Sequence, residues 1–347
     1  MPDESPTHRH PYRLWISLAV TIVLISVSVF YFAHFSSALA NKDSGQKETP
    51  IVAGSADPTD PAGPVGPDGE VFLPDSPYWQ SLLDSQGVDQ SVASSSLLKL
   101  PINPPSGTLA VDPIDGMKLI YIRAGNFRLG ANVKIQLPGK KKQSHPTVKL
   151  DAFWISQTQV TNAMYARCVK AGACRKAIRK EINPHYYDSK YAKHPVVYVT
   201  WSDAARYCKW SGGRLPTEAQ WKKAARDGGS RAYPWGDKTD ISRLANVGNF
   251  HTTTTKVGKF PDGASPYGLL DMGGNVREWV QDWYASTYTL KPPYTNPTGP
   301  DNGTKRLLKS ASWHDSVSSA KIDAQFAHLP YSAGNNRGFR CAYSPQG

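Results

Sequence analysis

Asp271 and Glu278 bracket a Gly-Gly pair in the stretch YGLLDMGGNVREWVQDWY, residues 267–284. Calcium takes about six to eight oxygens from carboxylates and backbone carbonyls held by a tight turn. A turn at the glycine pair frees the carbonyls of Gly274 and Val276 to face the same ion as the two acids. The plainer reading is an acidic turn with no ligand. A second place to look for chemistry is the run SASWHDSVSSAK, residues 310–321. His314 beside Asp315 has the types for acid/base work, but adjacent side chains often point apart, and an exposed histidine is the simpler expectation. Signatures of other catalytic classes (GxSxG, HExxH, a P-loop) do not occur in the sequence.

Four cysteines, Cys168, Cys174, Cys208 and Cys341, make an even set. In an exported chain such a set favours disulfides. Cys168 and Cys174 flank VKAGA, where Gly172 can turn the chain back, so a local bridge is expected, leaving Cys208 to pair with Cys341. A metal site is the alternative, weakened by the lack of CxxC spacing.

The 347 residues carry a formal net charge of +12, unevenly distributed. Of the 40 Lys/Arg and 28 Asp/Glu, 5 and 12 precede residue 114, so the N-terminal part is acidic and the remainder carries +19. A field of that sign attracts polyanions. Lys140, Lys141 and Lys142 in LPGKKKQSHP, and Arg175 and Lys176 after Cys174, are the candidate ligand-binding residues. Tyr186, Tyr187 and Tyr191 are interleaved nearby, as suits sugar stacking or a core.

Residues 14–33 hold no charge, enough at about 1.5 Å per residue to cross the roughly 30 Å hydrocarbon core. Arg9 and Arg13 precede them, so residues 1–13 are expected on the cytoplasmic side, with 14–36 as an uncleaved signal anchor. Ala38-Leu39-Ala40 suits signal peptidase and keeps cleavage as the alternative. Residues 37–113 are rich in Pro, Gly, Asp and Ser and poor in apolar periodicity, the composition of a disordered spacer, with a short helix conceivable near 78–87. Residues 114–347 read as one globular, loop-rich α+β domain. Strands are expected at 118–123 and 148–155, and helices at 161–171 with Thr161 as N-cap and at 202–210 with Ser202 as N-cap. Thr217 suits a third cap, with Arg214 and Glu218 expected to form an ion pair. Regular structure is expected to thin out after residue 226.

Six segments in order carry a resemblance: DGMKLIYIRAGNFRLG (115–130), FWISQTQVTN (153–162), HPVVYVTW with WSDAARYCKW (194–210), RLPTEAQW (214–221), YPWGD with the 267–284 stretch, and RGFRC (337–341). Together they resemble the formylglycine-generating enzyme, or sulfatase-modifying factor, family. The resemblance implies a C-type-lectin-like variant fold and the Cys208–Cys341 disulfide. It also implies calcium at Asp271, Gly274, Val276 and Glu278, and a second calcium site beginning at Asn246, whose following loop lacks the acidic residue it would need. Gln159 stands where an acidic residue is usual. The family's oxidases convert a substrate cysteine to formylglycine with two copper(I)-binding cysteines; here those positions are Asp315 and Ala320. Copper is therefore not expected, and the reading is a membrane-anchored, extracytoplasmic binding module for an anionic wall polymer, a glycan or an acidic protein. Nucleic acid is disfavoured by the expected address. A divergent oxidase is the alternative.

Overall fold

Thr161, Thr200 and Thr217 each end an extended segment and start a helix, because each hydroxyl accepts a backbone N–H that the first helical turn leaves orphaned. In the computed structural model, which describes residues 71–72, 100–130, 133–135, 143–177 and 182–345, these helices are α1 (Asn162–Lys170), α2 (Trp201–Trp210) and α3 (Glu218–Arg226). The α2 cap is Thr200 rather than Ser202. Asp203 returns its carboxylate to the Thr200 N–H and hydroxyl, closing a capping box that Ser202 has no acid to form.

Two four-stranded sheets form the centre. The first joins β1 (Leu109–Val111), β2 (Lys118–Ile122), β3 (Phe153–Ser156) and the C-terminal β8 (Ala342–Tyr343) in the order β8-β3-β2-β1, antiparallel throughout. The second is built on β4 (Arg277–Trp283), flanked by antiparallel β5 (Arg306–Lys309) and parallel β7 (Arg337–Phe339), with β6 (Phe326–His328) outside β5. Small pairings complete the fold, including Gly125–Arg128 with Thr147–Leu150 and Val71–Phe72 with Ser332–Ala333. The result is a mixed α/β architecture with few helices.

Two expectations fail here for identifiable reasons. The strand expected over 148–155 is two strands in different sheets, Thr147–Leu150 and β3. The chain leaves the first where the Asp151 N–H donates to Asn296 Oδ1 (2.9 Å) and Asn296 Nδ2 donates back to the Asp151 carboxylate (2.7 Å). Structure also does not thin out after residue 226: β4, with seven residues, lies there.

Burial places Tyr121, Trp154, Tyr165, Tyr207 and Trp279 in one core beside both disulfides, and Ile122, Phe153, Trp221 and Val280 in a second against α3. The disulfides are Cys168–Cys174 and Cys208–Cys341, the latter tying α2 to the chain between β7 and β8. Glu218 does not pair with Arg214, whose guanidinium donates to Gln220 Oε1 (2.7 Å) and the Leu215 carbonyl. It faces the buried Lys222 (2.9 Å) and Lys309 (3.6 Å) instead. Burial alone would raise the Glu218 carboxyl; the two ammonium groups outweigh it and hold it down to about 2. Lys222 also reaches the Asp323 carboxylate (3.4 Å), and burial, with the Lys222 charge second, pushes Lys309 down to about 7.

Among the described residues no helix is long and apolar enough to cross a membrane; the expected anchor at 14–36 lies outside them, as does the possible helix near 78–87.

Candidate functional site

The turn after β5 carries His314 and Asp315, and it is held by backbone and ion-pair geometry. Ser310 adopts a left-handed conformation (φ 68°), in which a β-carbon is strained and glycine is the usual occupant. The chain then delivers Ser312 into the interior and Trp313 and His314 outward. The Asp315 carboxylate takes a bidentate pair from Arg277 (2.9 and 2.6 Å) and further hydrogen bonds from the Ser312 N–H (2.8 Å) and hydroxyl (2.7 Å). Burial would raise this acid, but Arg277 and then Ser312 outweigh it, so it stays ionised. Asp315 therefore buttresses the turn. His314 is exposed, with Nδ1 3.2 Å from Ser312 Oγ. Ala320 is buried at the end of the single turn Val317–Ala320.

Copper(I) calls for soft thiolate ligands. The two positions that would supply them hold a carboxylate already committed to a guanidinium and a methyl group, and all four cysteines are in disulfides. The donor set does not fit copper.

Two hollows meet at this turn. One, of about 670 Å³, is lined by Asn249, Trp313, His314, His328, Asn336 and Arg337 among others. The second, of about 440 Å³, runs past Thr252 to Asn183, His185, Tyr191 and Tyr198. Thr252, Trp313 and Asn335 line both, so they form one continuous groove. Among its described lining residues there is no Asp or Glu. His185 stacks on Tyr191 with ring centres 3.7 Å apart. Burial, and then the Lys190 charge, lower the His185 pKa below its ordinary 6.5. Sequence reasoning did not find this groove. Its walls come from widely separated stretches of chain between Ile182 and Arg337, and nothing in their local spacing announces that they meet.

The four expected calcium-ligand residues are brought together, but Asp271 contributes its carbonyl, its carboxylate being turned to the Gly258 N–H. The carbonyls of Asp271, Gly274 and Val276 and Oε1 of Glu278 surround a single atom, Nε2 of Gln159, at 3.0 to 3.3 Å. Asp271 is left-handed (φ 58°), and burial raises its carboxyl to about 6 against the opposing Gly258 N–H and Arg340. Asn246 donates through Nδ2 to the Thr253 carbonyl (3.0 Å) and Asn275 Oδ1 (3.3 Å). Gln159 is the central residue, and a glutamine in an acid's usual place is its signal in the sequence.

Of the expected basic residues, Arg175 is not free for a ligand. Its guanidinium is bound to Asp203 at 2.8 and 3.1 Å, which anchors the loop after Cys174 to the α2 cap. Lys176 is exposed, while Lys140, Lys141 and Lys142 lie outside the described residues. Tyr186, partly buried, packs edge-on against the core residue Tyr165, whereas Tyr191 lines the groove.

Comparison with known proteins bears on the family and the fold. The sulfatase-modifying factor enzyme 1-like domain matches residues 107–345. The chain is 31% identical over 279 residues to the formylglycine-generating enzyme of Streptomyces coelicolor, a match covering 64% of this chain and 88% of the relative. It is 38% identical over 174 residues to the inactive C-alpha-formylglycine-generating enzyme 2 of Mus musculus, covering 43% of this chain and 49% of the relative. The structure of PvdO from Pseudomonas aeruginosa shares the fold with a TM-score of 0.56 at 24% identity, over 69% of this chain and 99% of that one. The match spans more than two thirds of the chain, and the chain belongs to the sulfatase-modifying factor enzyme 1-like family.

Proposed function

We propose that this domain is a binding module that presents a groove to a ligand and has lost the family's copper-cysteine chemistry. The observation that carries the reading is the acid-free groove, which runs past a turn where an Asp315–Arg277 pair stands in place of reactive sulfur. Imidazole, indole, amide and hydroxyl groups with no opposing carboxylate suit an extended acidic segment of a partner protein. Lys140–Lys142 and Lys176 would add a second, looser attraction to the same kind of ligand. The rest of the reading is a C-type-lectin-like domain displayed outside the cytoplasm by an anchor at 14–36 and a spacer at 37–113. Two buried disulfides support it, because such bridges persist in oxidising compartments.

Titration of a short Glu-rich peptide, followed by fluorescence or calorimetry, tests the groove. Binding should weaken with salt and strengthen as pH falls below 6.5 towards about 5, where His185, held below its ordinary value by burial and then Lys190, takes up a proton while the peptide's carboxylates remain ionised. Trp313→Ala, at the junction of the two hollows, should weaken binding about tenfold or more. Wild-type affinity in Trp313→Ala and His314→Ala, with loss on replacing Lys140–Lys142, would move the site to the basic loop. Competition by an anionic polysaccharide or a neutral glycan, but not by the peptide, would change the ligand class.

A further inference from the structure

Three backbone carbonyls and a carboxylate oxygen aimed at one buried point repel one another unless something positive or an N–H stands among them. Asp271, Gly274, Val276 and Glu278 supply those oxygens, and the N–H groups of Gln159 stand among them. The charge around this cage is already balanced. Both Glu278 oxygens are taken by Arg340, Nε to Oε2 at 2.7 Å and Nη2 to Oε1 at 2.8 Å, and the Trp221 indole adds a third donor at 2.7 Å. All of these side chains are fully buried. The carboxylate of Asp271 is engaged separately, its Oδ2 accepting the Gly258 N–H at 2.7 Å. A divalent cation would therefore meet neutral carbonyls and a carboxylate already neutralised, with a guanidinium beside it. These residues do not fit one.

We propose that the Gln159 amide is a built-in replacement for the cation, so that the turn 271–278 is held, and the domain folds, without divalent metal. A neutral amide supplies two N–H groups, shared among four acceptors, where a carboxylate at this position would demand a bound ion. Gln159 Oε1 is left buried without a hydrogen-bond partner. The reverse orientation would press that oxygen against four others. At the second expected ion position Asn246 Nδ2 serves Thr253 and Asn275 while Asn246 Oδ1 is left without a hydrogen-bond partner, and Asn275 exchanges hydrogen bonds with the Thr255 backbone in both directions.

The test is calcium titration of the EDTA-treated protein by calorimetry, with thermal melts in excess EDTA and in excess calcium. The wild type should show no binding isotherm and the same Tm in both. Gln159→Glu places a second carboxylate against Glu278 and should melt lower in EDTA, with calcium raising its Tm by about 5 °C or more. Uptake of one equivalent of calcium by the wild type, with a Tm rise that Gln159→Leu abolishes, overturns the proposal whether or not Gln159→Glu folds. A folded Gln159→Glu whose melting ignores calcium overturns it as well. Neither result bears on peptide binding in the groove.

Discussion

Arg340→Leu should destabilise the domain by about 3–5 kcal/mol, enough to leave little native protein at ordinary temperature. Arg340 is fully buried and makes five hydrogen bonds that join three parts of the fold. Two go to Glu278 on β4, two to the carbonyls of Ser156 and Gln157 at the end of β3, and one to the Leu270 carbonyl before the Gly-Gly turn. Removing it leaves the buried Glu278 carboxylate without its counter-charge and takes a donor from three carbonyls, of which that of Gln157 keeps another, the Leu270 N–H. The cost comes mainly from the uncompensated charge. Arg340→Lys should recover little, because one compact ammonium cannot span five acceptors set in a fork. Adding Glu278→Leu to Arg340→Leu should return part of the loss, since the pair's own net worth is smaller than the cost of breaking it. Denaturant melts of the two single variants and the double variant measure this coupling. An Arg340→Leu protein within about 1 kcal/mol of wild type would contradict the account.

The second large effect separates the two disulfides. In the chain-entropy model the stabilisation grows with the loop closed, so Cys208–Cys341, at a separation of 133, contributes on the order of 4–5 kcal/mol. Cys168–Cys174, at a separation of 6, contributes roughly 2–2.5 kcal/mol by the same formula. Replacing each pair by alanine and measuring urea unfolding should show the long bridge costing about twice the short one. The long bridge also ties α2 to the last strand, β8, which pairs with β3, so its loss should loosen the first sheet. A short bridge worth as much as the long one would mean that local strain or residual unfolded structure, rather than loop length, governs stability.

What the sequence shows depends on whether the cause is local. Thr161 and Thr217 as caps were readable because a cap needs only a hydroxyl and the next turn of chain. Thr200 was missed for Ser202 by two positions, and the deciding feature, Asp203 closing the box, was present in the string. Strand β4 gave no alternating pattern because neighbours cover both its faces: Trp279 and Val280, adjacent in sequence, are both fully buried. The break at Asp151 depends on Asn296, 145 positions away, and no local pattern carries that. The same holds at the site. The oxygens of Asp271 to Glu278 were legible as a converging set, but the atom they converge on comes from Gln159, 112 to 119 positions earlier. Glu218 read as a partner for Arg214 because they lie four apart, while its actual second lysine, Lys309, arrives from β5. The absence of sulfur at residues 315 and 320 was plain from the string alone; what replaces it, the Asp315–Arg277 pair, required the packing of β4 against the turn.

In the proposed function the groove operates without the oxidase chemistry. The most direct measurement is incubation of the folded, disulfide-intact protein with copper(I), oxygen and a CxPxR peptide, followed by mass spectrometry for conversion of the cysteine to the aldehyde. The account predicts no conversion above a control without protein. Turnover above that control would contradict it and would require copper ligands other than the side chains of Asp315 and Ala320.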